Sequence, residues 1–202
     1  SAFHIIRTAA RVEPGEWCVF HSAAGPVGIM LTQVAKDAGA NVIGLVGGPN
    51  KIAFAKPFGA DHLVDYRADD WAQEVLRLTA DRGADLIVDG NQGDGAAKNY
   101  EAIAANGRII YIGATAGALA ADVPVGLLIG KSIFVGGFNL SALDAVYEGV
   151  RDNAEAIEKV RSGVWEVPVS ETVELEDVPE THARFERRDL MGRVVIRVGG
   201  EM

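Results

Sequence analysis

The chain has 202 residues, of which 49% are hydrophobic, with 24 glycines and 7 prolines. This length and composition suit one well-packed domain and exclude a disordered polypeptide. Its formal net charge of -9 argues against nucleic acid or an anionic membrane as the main partner, because those surfaces are themselves negative. The longest apolar stretch, 123–138, is interrupted by Lys131 and several glycines. It falls short of the run of about 20 apolar residues that spans a bilayer, so we expect no membrane partner.

The predicted elements alternate between strand and helix. The chain opens within an amphipathic helix over 1–6 and has no initiating methionine, so we expect it to be part of a longer polypeptide. Apolar runs then predict six strands, and helical spacing predicts the segments between them. A capping box, Ser141-x-x-Asp144, predicts a long helix to about residue 161. The strands are predicted at 17–20, 41–46, 62–64, 86–88, 108–112 and 132–136, and the earlier helices at 26–38, 50–58, 70–78 and 95–105.

This alternation predicts an α/β fold with a doubly wound, parallel, six-stranded sheet, the Rossmann fold. Beyond the long helix, 167–175, 178–185 and 194–198 predict a strand-helix-strand extension at the C-terminal end. No flexible linker or internal repeat divides the chain, so residues 1–202 are expected to form a single domain.

The junction between the first strand and the first long helix predicts a dinucleotide site. Ala23-x-Gly25-x-x-Gly28 follows the G-x-G-x-x-G template, with alanine in the first position. Gly25 lets the backbone approach a diphosphate, and Gly28 lets the helix pack on the strand. Pro26 stands where a first helical residue is expected. The template alone is a weak signal, but its place between a strand and a helix in an alternating chain strengthens it.

The segment after the second strand favours NADP(H) over NAD. A carboxylate is expected about 20 positions past the turn in an NAD site. This chain has Val46-Gly47-Gly48-Pro49-Asn50-Lys51 there, and the Lys51 ammonium can meet a 2′-phosphate. Tyr66 and Arg67 can supply a hydroxyl, a ring and a further cation. The alternative interpretation is that Lys51, Tyr66 and Arg67 are ordinary surface residues.

The sequence predicts neither a metal site nor a catalytic side chain. The single cysteine, Cys18, lies in the first apolar run and is expected in the core, with a reactive thiol as the alternative. One cysteine and no disulfide suit a reducing compartment, the cytoplasm. His21 ends the first strand, where packing or hydrogen bonding is a better expectation than proton transfer. The remaining histidines, His4, His62 and His182, show no metal-ligand spacing with Cys18 or His21.

These motifs resemble the medium-chain dehydrogenase/reductase superfamily, and within it the zinc-independent quinone oxidoreductases related to zeta-crystallin. The likeness spans almost the whole chain. It is carried by Glu13-Pro14-Gly15-Glu16, the segment 21–28, Val46-Gly47 with Lys51, Gly59-Ala60-Asp61, Asp65-Tyr66-Arg67, Val88-Asp89, Asn106-Gly107-Arg108, Ile112-Gly113, His182 and Gly192-Arg193-Val194-Val195.

The resemblance implies a set of cofactor contacts. Residues after the first strand would lie under the diphosphate, three others would hold the 2′-phosphate end, and the loops after the fourth, fifth and sixth strands would surround the nicotinamide. Gly90-Asn91-Gln92-Gly93 departs from the valine and glycine that often follow the aspartate in this family. The implied contacts are Ala24, Gly25, Pro26 and Val27; Gly47, Lys51 and Tyr66; and Asn91, Gly113, Ala114, Phe138, Asn139 and Leu140.

The resemblance also implies a function. The chain would be the NADPH-binding portion of an enzyme that transfers hydride to a quinone or an activated alkene such as an enone. The family's barrel-like substrate domain, which precedes the cofactor domain, is missing here, so the chain alone is expected to be inactive. Three alternatives stay open: an enoyl reductase domain of a polyketide or fatty-acid synthase, the cofactor domain of a zinc alcohol dehydrogenase, and a non-catalytic binding or assembly module. The sixth strand at a sheet edge favours a homodimer.

Overall fold

A computed structural model describes residues 1–68, 70–115, 122–144 and 153–199. Its main sheet has six parallel strands in the order β3-β2-β1-β4-β5-β6. The chain builds outward from β1 in one direction and then from β4 in the other, so the order reverses between β1 and β4. The doubly wound prediction is therefore confirmed. The strands are β1 (Trp17–Phe20), β2 (Asn41–Val46), β3 (His62–Asp65), β4 (Ala84–Asp89), β5 (Ile103–Tyr111) and β6 (Phe134–Gly137).

Helices cover both faces of the sheet. The first of them, α1, continues as a π-helical turn over Ile5–Ala9, and short 3₁₀ turns follow α3 (Lys56–Phe58) and precede α5 (Gly93–Ala96). Within the described residues, no helix is long and apolar enough to cross a membrane. The helices are α1 (Ala2–His4), α2 (Pro26–Asp37), α3 (Pro49–Ala55), α4 (Trp71–Leu78), α5 (Ala97–Ala102), α6 (Val125–Lys131), α7 (Leu140–Asp144), α8 (Ala154–Arg161) and α9 (Val178–Glu186).

The central strands are apolar because they are buried on both faces. Successive side chains of a strand point to opposite faces, so Cys18 and Phe20 of β1 join one core while Val19 joins the other. The first core includes Ile5 and Leu31, and all five of these side chains are almost fully buried. Burying one large apolar side chain stabilises the fold by about 1.5–3 kcal/mol. The two cores together fix the sheet whose edge carries the candidate site. Cys18 lies in the core, as predicted.

The C-terminal strand-helix-strand prediction is also correct. It forms β7 (Val169–Glu174), the helix α9 and β8 (Arg193–Arg197), and the two strands pair in parallel as a separate small sheet. The turn before β8 contacts the segment that follows β1, where the Gly192 N–H donates to the Ala24 carbonyl (3.0 Å). A side chain on Gly192 would lie 2.9 Å from Phe54, so glycine allows this close approach. The small sheet thereby brings its α9–β8 connection beside the predicted dinucleotide turn.

Two predicted boundaries are wrong. The helix predicted to reach residue 105 ends at Ala102, and β5 begins at Ile103 instead of 108. Ile103 pairs with Ala84, and the register then shifts so that Arg108 pairs with Leu86. Asn106 adopts a left-handed φ of 59° within this irregular stretch. The expected helix terminus at Asn106 and Gly107 is therefore a bulge within a strand.

The predicted capping box is wrong as well. Asn139 Oδ1 accepts the N–H groups of Ser141 (2.9 Å) and Ala142 (3.2 Å), so Asn139 and not Ser141 caps α7. The single long helix predicted to about residue 161 falls partly on residues 145–152, which lie outside the described residues. The sixth strand begins at Phe134 and not at 132, because Ser132 ends α6 in the left-handed conformation.

Candidate functional site

The glycine turn, the segment 21–28 that contains Ala23-x-Gly25-x-x-Gly28, lies at the carboxyl end of β1, beside the position where the strand order reverses. In open α/β sheets, ligands bind in the crevice at this switch point. The turn is held from both sides, since the His21 N–H donates to Val88 of β4 (3.1 Å) and the Ala23 N–H to Leu45 of β2 (3.0 Å). The first and third residues after β1 thus bond to the two neighbouring strands.

The conformation of the turn depends on small residues. Gly25 is the N-cap of α2, with Pro26 at its first position, and no side chain caps this end. A Cβ on Gly28 would lie 2.7 Å from the Ala23 Cα, closer than atoms can pack. The glycine at 28 therefore lets α2 begin directly against the turn, as the template predicts. The first N–H groups of a helix have no intrahelical partners, and they point along the axis toward this end of the sheet.

One cleft collects most of the predicted contacts on the diphosphate and adenosine side. It has a volume of about 240 Å³ and opens over the glycine turn and the end of β2. Six of the predicted residues line it, whereas Val27 lines a separate groove on the other side of α2. The predicted residues on the cleft are Ala24, Gly25, Pro26, Gly47, Lys51 and Tyr66, and the others lining it are Ser22, Val46, Thr115, Phe185, Arg188, Leu190 and Gly192.

At Gly47, the backbone after β2 and the side chains of the segment after β3 approach each other closely. A Cβ there would lie 2.6 Å from the Tyr66 Oη and 3.1 Å from the Arg67 Nε. The Asp65 Oδ1 accepts the N–H groups of Gly48 (3.1 Å) and Arg67 (3.0 Å), which ties the two segments together. The tyrosine hydroxyl and the guanidinium are therefore held against the bare backbone that starts α3.

Basic side chains from three segments meet beside this point. A second cleft of about 320 Å³ is lined by residues 47–51 together with Arg67, Arg188, Asp189 and Met191. The Lys51 Nζ donates to the Arg188 carbonyl (2.8 Å), so α3 contacts the turn after α9. Lys51, Arg67 and Arg188 give this cleft a local positive charge in a chain whose net charge is -9.

Arg188 is a residue that the sequence analysis missed. It follows α9 with a left-handed φ of 61° and lines both clefts. It is more than 130 residues from the glycine turn along the chain. Near Arg188 in the sequence, the only signal is that two arginines stand side by side at the end of a helix. That pattern is common on protein surfaces. Only the packing of the small C-terminal sheet brings it to the site.

The loops after β4, β5 and β6 lie on the other side of the glycine turn. The Asn91 Oδ1 accepts from the Ser22 hydroxyl and from the Thr115 hydroxyl, each at 2.8 Å. The Gln92 side chain donates to the Gly113 carbonyl (2.6 Å). The loops after β1, β4 and β5 are therefore linked across the crevice. Of the residues predicted near the nicotinamide, Asn91 and Gly113 belong to this linked group, and Ala114 lies between Gly113 and Thr115.

The remaining predicted residues follow β6. The Phe138 N–H donates to the Tyr111 carbonyl (2.9 Å), and its ring packs partly against the core. Asn139 uses its side-chain oxygen to cap α7, and Leu140 is the first residue of that helix. These three residues stand at the carboxyl edge of the sheet, outside the residues that line the two clefts.

A buried polar group lies under the crevice. The His21 Nε2 is 2.9 Å from the Asn99 Oδ1, and the Asn99 Nδ2 donates to the Asp89 Oδ2 (2.8 Å). Burial lowers the pKa of His21, and the nearby Asp89 carboxylate only partly offsets that effect. His21 is therefore neutral at pH 7. Its role here is hydrogen bonding within the fold, as the sequence suggested.

A family model described as zinc-binding dehydrogenase matches residues 26–156 of the chain. The chain belongs to this family. Its fold and motifs place this zinc-binding dehydrogenase domain in the medium-chain dehydrogenase/reductase superfamily, as the resemblance predicted.

Individual relatives agree with the family. The domain is 28% identical over 196 residues to quinone oxidoreductase 1 of Escherichia coli, with 95% of this chain and 60% of that protein covered. It is 31% identical over 113 residues, 56% of this chain and 5% of the relative, to a phenolphthiocerol/phthiocerol polyketide synthase subunit of Mycobacterium tuberculosis. The crystal structure of an E. coli quinone oxidoreductase complexed with NADPH superposes with a TM-score of 0.89 at 25% identity, covering 98% of this chain and 61% of that one. The chain thus spans about 60% of the quinone oxidoreductases it matches.

The name of the family refers to zinc, which proteins bind through His, Cys, Asp and Glu side chains. Among the residues that the structure describes, no group of three or more His, Cys, Asp or Glu side chains is placed to hold a metal ion. Burial also raises the pKa of the Cys18 thiol, which keeps it in the protonated form that does not bind zinc. The described side chains therefore do not fit a zinc centre.

Proposed function

We propose that this domain binds NADPH for an oxidoreductase that transfers hydride to a quinone or an activated alkene such as an enone. The observation that carries the proposal is the cleft in which the N-terminus of α2 and the Lys51, Tyr66 and Arg188 side chains come together. Such a combination offers backbone donors for a diphosphate and cations for a further phosphate. The relatedness to quinone oxidoreductases, one of them crystallised with NADPH, supports it.

The diphosphate belongs at the glycine turn in this proposal. Gly25 is the N-cap of α2 and Pro26 and Val27 begin it, and the helix dipole together with the N–H groups that follow Pro26 favours an anion there. Ala24 is buried, so it contributes backbone and a small surface to the floor of the cleft. A larger side chain at 24 or 25 would occupy the space that the diphosphate needs.

The adenosine 2′-phosphate belongs between Gly47 and the three cations. Lys51, Arg67 and Arg188 line one cleft there, and the Tyr66 hydroxyl lies against Gly47. A phosphate monoester is doubly charged near neutral pH and is best held by several donors of this kind. NADH has only a hydroxyl at the same position, so the site discriminates by charge.

The nicotinamide belongs on the β4 side of the turn, near Asn91, Gly113, Ala114, Phe138, Asn139 and Leu140. When bound, the cofactor supplies the hydride, and the protein has to orient it and exclude water. No side chain of the described site needs to act as a nucleophile or a general base. We further propose that turnover requires the part of the relatives that this chain does not cover, and that the enzyme works in the cytoplasm.

The test is a fluorescence titration of the purified chain with NADPH and with NADH. We expect NADPH to bind at least about tenfold more tightly, since a charge-assisted phosphate contact contributes more than about 1.4 kcal/mol. Equal affinities would contradict the assignment of the 2′-phosphate cleft. No binding of either cofactor would overturn the proposed function.

A second candidate function is reduction of an enoyl group in polyketide synthesis. It is favoured by the match to the mycobacterial polyketide synthase subunit. Both candidates use the same cofactor site, so NADPH binding does not separate them. The rate of NADPH oxidation with a simple quinone, compared with the rate with an enoyl thioester, does so when the protein assayed includes the part of the relatives that this chain does not cover.

A further inference from the structure

Asp89 is the centre of the buried polar group under the crevice. It is the last residue of β4, and both Asp89 and Asn99 are fully buried. A carboxylate can only accept hydrogen bonds, so the Asn99 amide must turn its NH₂ toward Asp89 and its oxygen toward His21. His21 then donates from Nε2. Donors and acceptors then match along the hydrogen bonds from His21 Nε2 through Asn99 to Asp89, and these bonds connect the residue after β1 with α5 and β4.

The same carboxylate also fixes the loop that follows β4. The Asp89 Oδ1 accepts the N–H groups of Asn91 (2.7 Å) and Gln92 (3.0 Å). Gln92 adopts a left-handed φ of 53° there, a conformation that a non-glycine residue rarely adopts without support. With its backbone held, Asn91 presents its side-chain oxygen to Ser22 and Thr115 on the two walls of the crevice.

Asp65 has the same arrangement at the end of β3. Its Oδ1 accepts two backbone N–H groups, those of Gly48 and Arg67, from the loops around the cation cleft. The glycine turn at the end of β1 lies between these two aspartates, because β2 and β3 are on one side of β1 and β4 is on the other. A dinucleotide whose diphosphate sits at the turn must extend its two halves toward opposite aspartates.

We propose that Asp89 is a positioning residue for the nicotinamide half of the cofactor. It acts through the backbone of Asn91 and Gln92, and the adenosine half is bound independently of it. This inference rests on the proposed function, since it assumes that NADPH occupies the crevice. It goes further in assigning to a fully buried side chain the control of one half of the ligand and not the other.

The experiment compares two ligands with the full 202-residue chain. NADPH has both halves, whereas 2′,5′-ADP has the adenosine half alone. We expect Asp89→Ala to lower the affinity for NADPH by about tenfold, the equivalent of one good hydrogen bond. The affinity for 2′,5′-ADP should change by less than about twofold. Asp89→Asn should retain NADPH binding, because its amide oxygen still accepts the N–H groups of Asn91 and Gln92. The Asn99 amide can rotate to turn its oxygen toward the new amide, and His21 can carry its proton on Nδ1 instead of Nε2. The matched control is Asp65→Ala, which should change both affinities by the same factor.

Each outcome decides the inference. Equal weakening of both ligands by Asp89→Ala would show a general structural role and would overturn it, and so would no weakening of either. If the unmodified chain binds 2′,5′-ADP but Asp89→Ala changes the affinities for NADPH and 2′,5′-ADP equally, the inference fails while the proposed function stands. If the unmodified chain binds neither, both fail.

A further pair of measurements covers the case in which Asp89→Ala does not fold. Slow amide hydrogen exchange at Asn91 and Gln92 in the unmodified chain is expected if Asp89 holds them, and fast exchange would overturn the inference. Asn91→Ala changes only the loop and leaves the buried group intact. It should weaken NADPH and not 2′,5′-ADP, and an unchanged affinity for NADPH would likewise contradict the proposal.

Discussion

At the scale of single residues, the candidate site depends on a few side chains whose neighbours are far away in the sequence. Lys51 lies on α3, and its ammonium donates to the Arg188 carbonyl across 137 positions. The sequence alone predicted Lys51 as a phosphate ligand because no carboxylate stands at that point of the chain. It could not predict Arg188, because nothing near that arginine in the sequence refers to β2 or to the glycine turn.

Replacing Lys51 tests the assignment of the phosphate. We expect Lys51→Gln to lower the affinity for NADPH by about tenfold, or about 1.4 kcal/mol of binding free energy, because a charge-assisted contact to the 2′-phosphate is lost. The affinity for NADH should change by less than about twofold in the same fluorescence titration. The matched control is Lys56→Gln, an exposed lysine close by that lines neither cleft. An equal effect of the two substitutions would point to the overall charge of the chain instead of a specific contact.

At the scale of elements, periodicity and glycine placement predicted most of the fold. The six parallel strands and their doubly wound arrangement are confirmed, because apolar runs bounded by glycine encode buried parallel strands. One error falls where tertiary pairing overrides a local signal, and the other is a local signal that the sequence analysis missed. Asn106 and Gly107 read as a helix end, yet β4 pairs with the chain on both sides of them. Asn139 precedes the first apolar residue of α7, and the structure shows it to be the cap.

The α2 junction yields a prediction of stability. A Cβ on Gly28 would lie 2.7 Å from the Ala23 Cα and 2.9 Å from the Ser22 carbonyl carbon, which are backbone atoms that cannot turn aside. We expect Gly28→Ala to lower the free energy of unfolding by about 1–3 kcal/mol through overpacking, measured by urea denaturation. The matched control is Gly126→Ala in α6, where a Cβ would meet nothing within 4 Å. That substitution should raise the free energy of unfolding by about 0.5–1 kcal/mol, since alanine favours helix. A neutral Gly28→Ala would show that α2 can shift away from the turn.

At the scale of the whole molecule, the sheet ends at β6. Two apolar residues in and shortly before this strand are exposed: Phe134, the first residue of β6, is 69% accessible, and Ile129 of α6 is 77% accessible. An unpaired strand edge flanked by apolar side chains is a surface on which a second copy can extend the sheet. We propose a homodimer through β6, in which the two sheets join across a twofold axis.

Light scattering tests this association. We expect the chain to have twice its monomer mass at micromolar concentration, and the double substitution Phe134→Glu and Ile129→Glu to return it to monomer mass, because like charges would face each other across the axis. The control is Ile157→Glu on α8, which is also exposed but lies outside the main sheet. A monomer mass for the unmodified chain, or dissociation by the control alone, would exclude this interface.

The amino-acid sequence by itself determined the fold class and the place of the glycine turn, and it predicted a preference for a phosphorylated dinucleotide. Each of these is encoded locally: in the period of apolar residues, in small residues at a strand-helix junction, and in a lysine where a carboxylate is expected. Only the tertiary structure decided that Arg188 joins the cations and that Asp89, Asn99 and His21 form one buried group. Both depend on hydrogen bonds and packing between residues far apart along the chain, and such contacts leave no periodic signal in a single sequence.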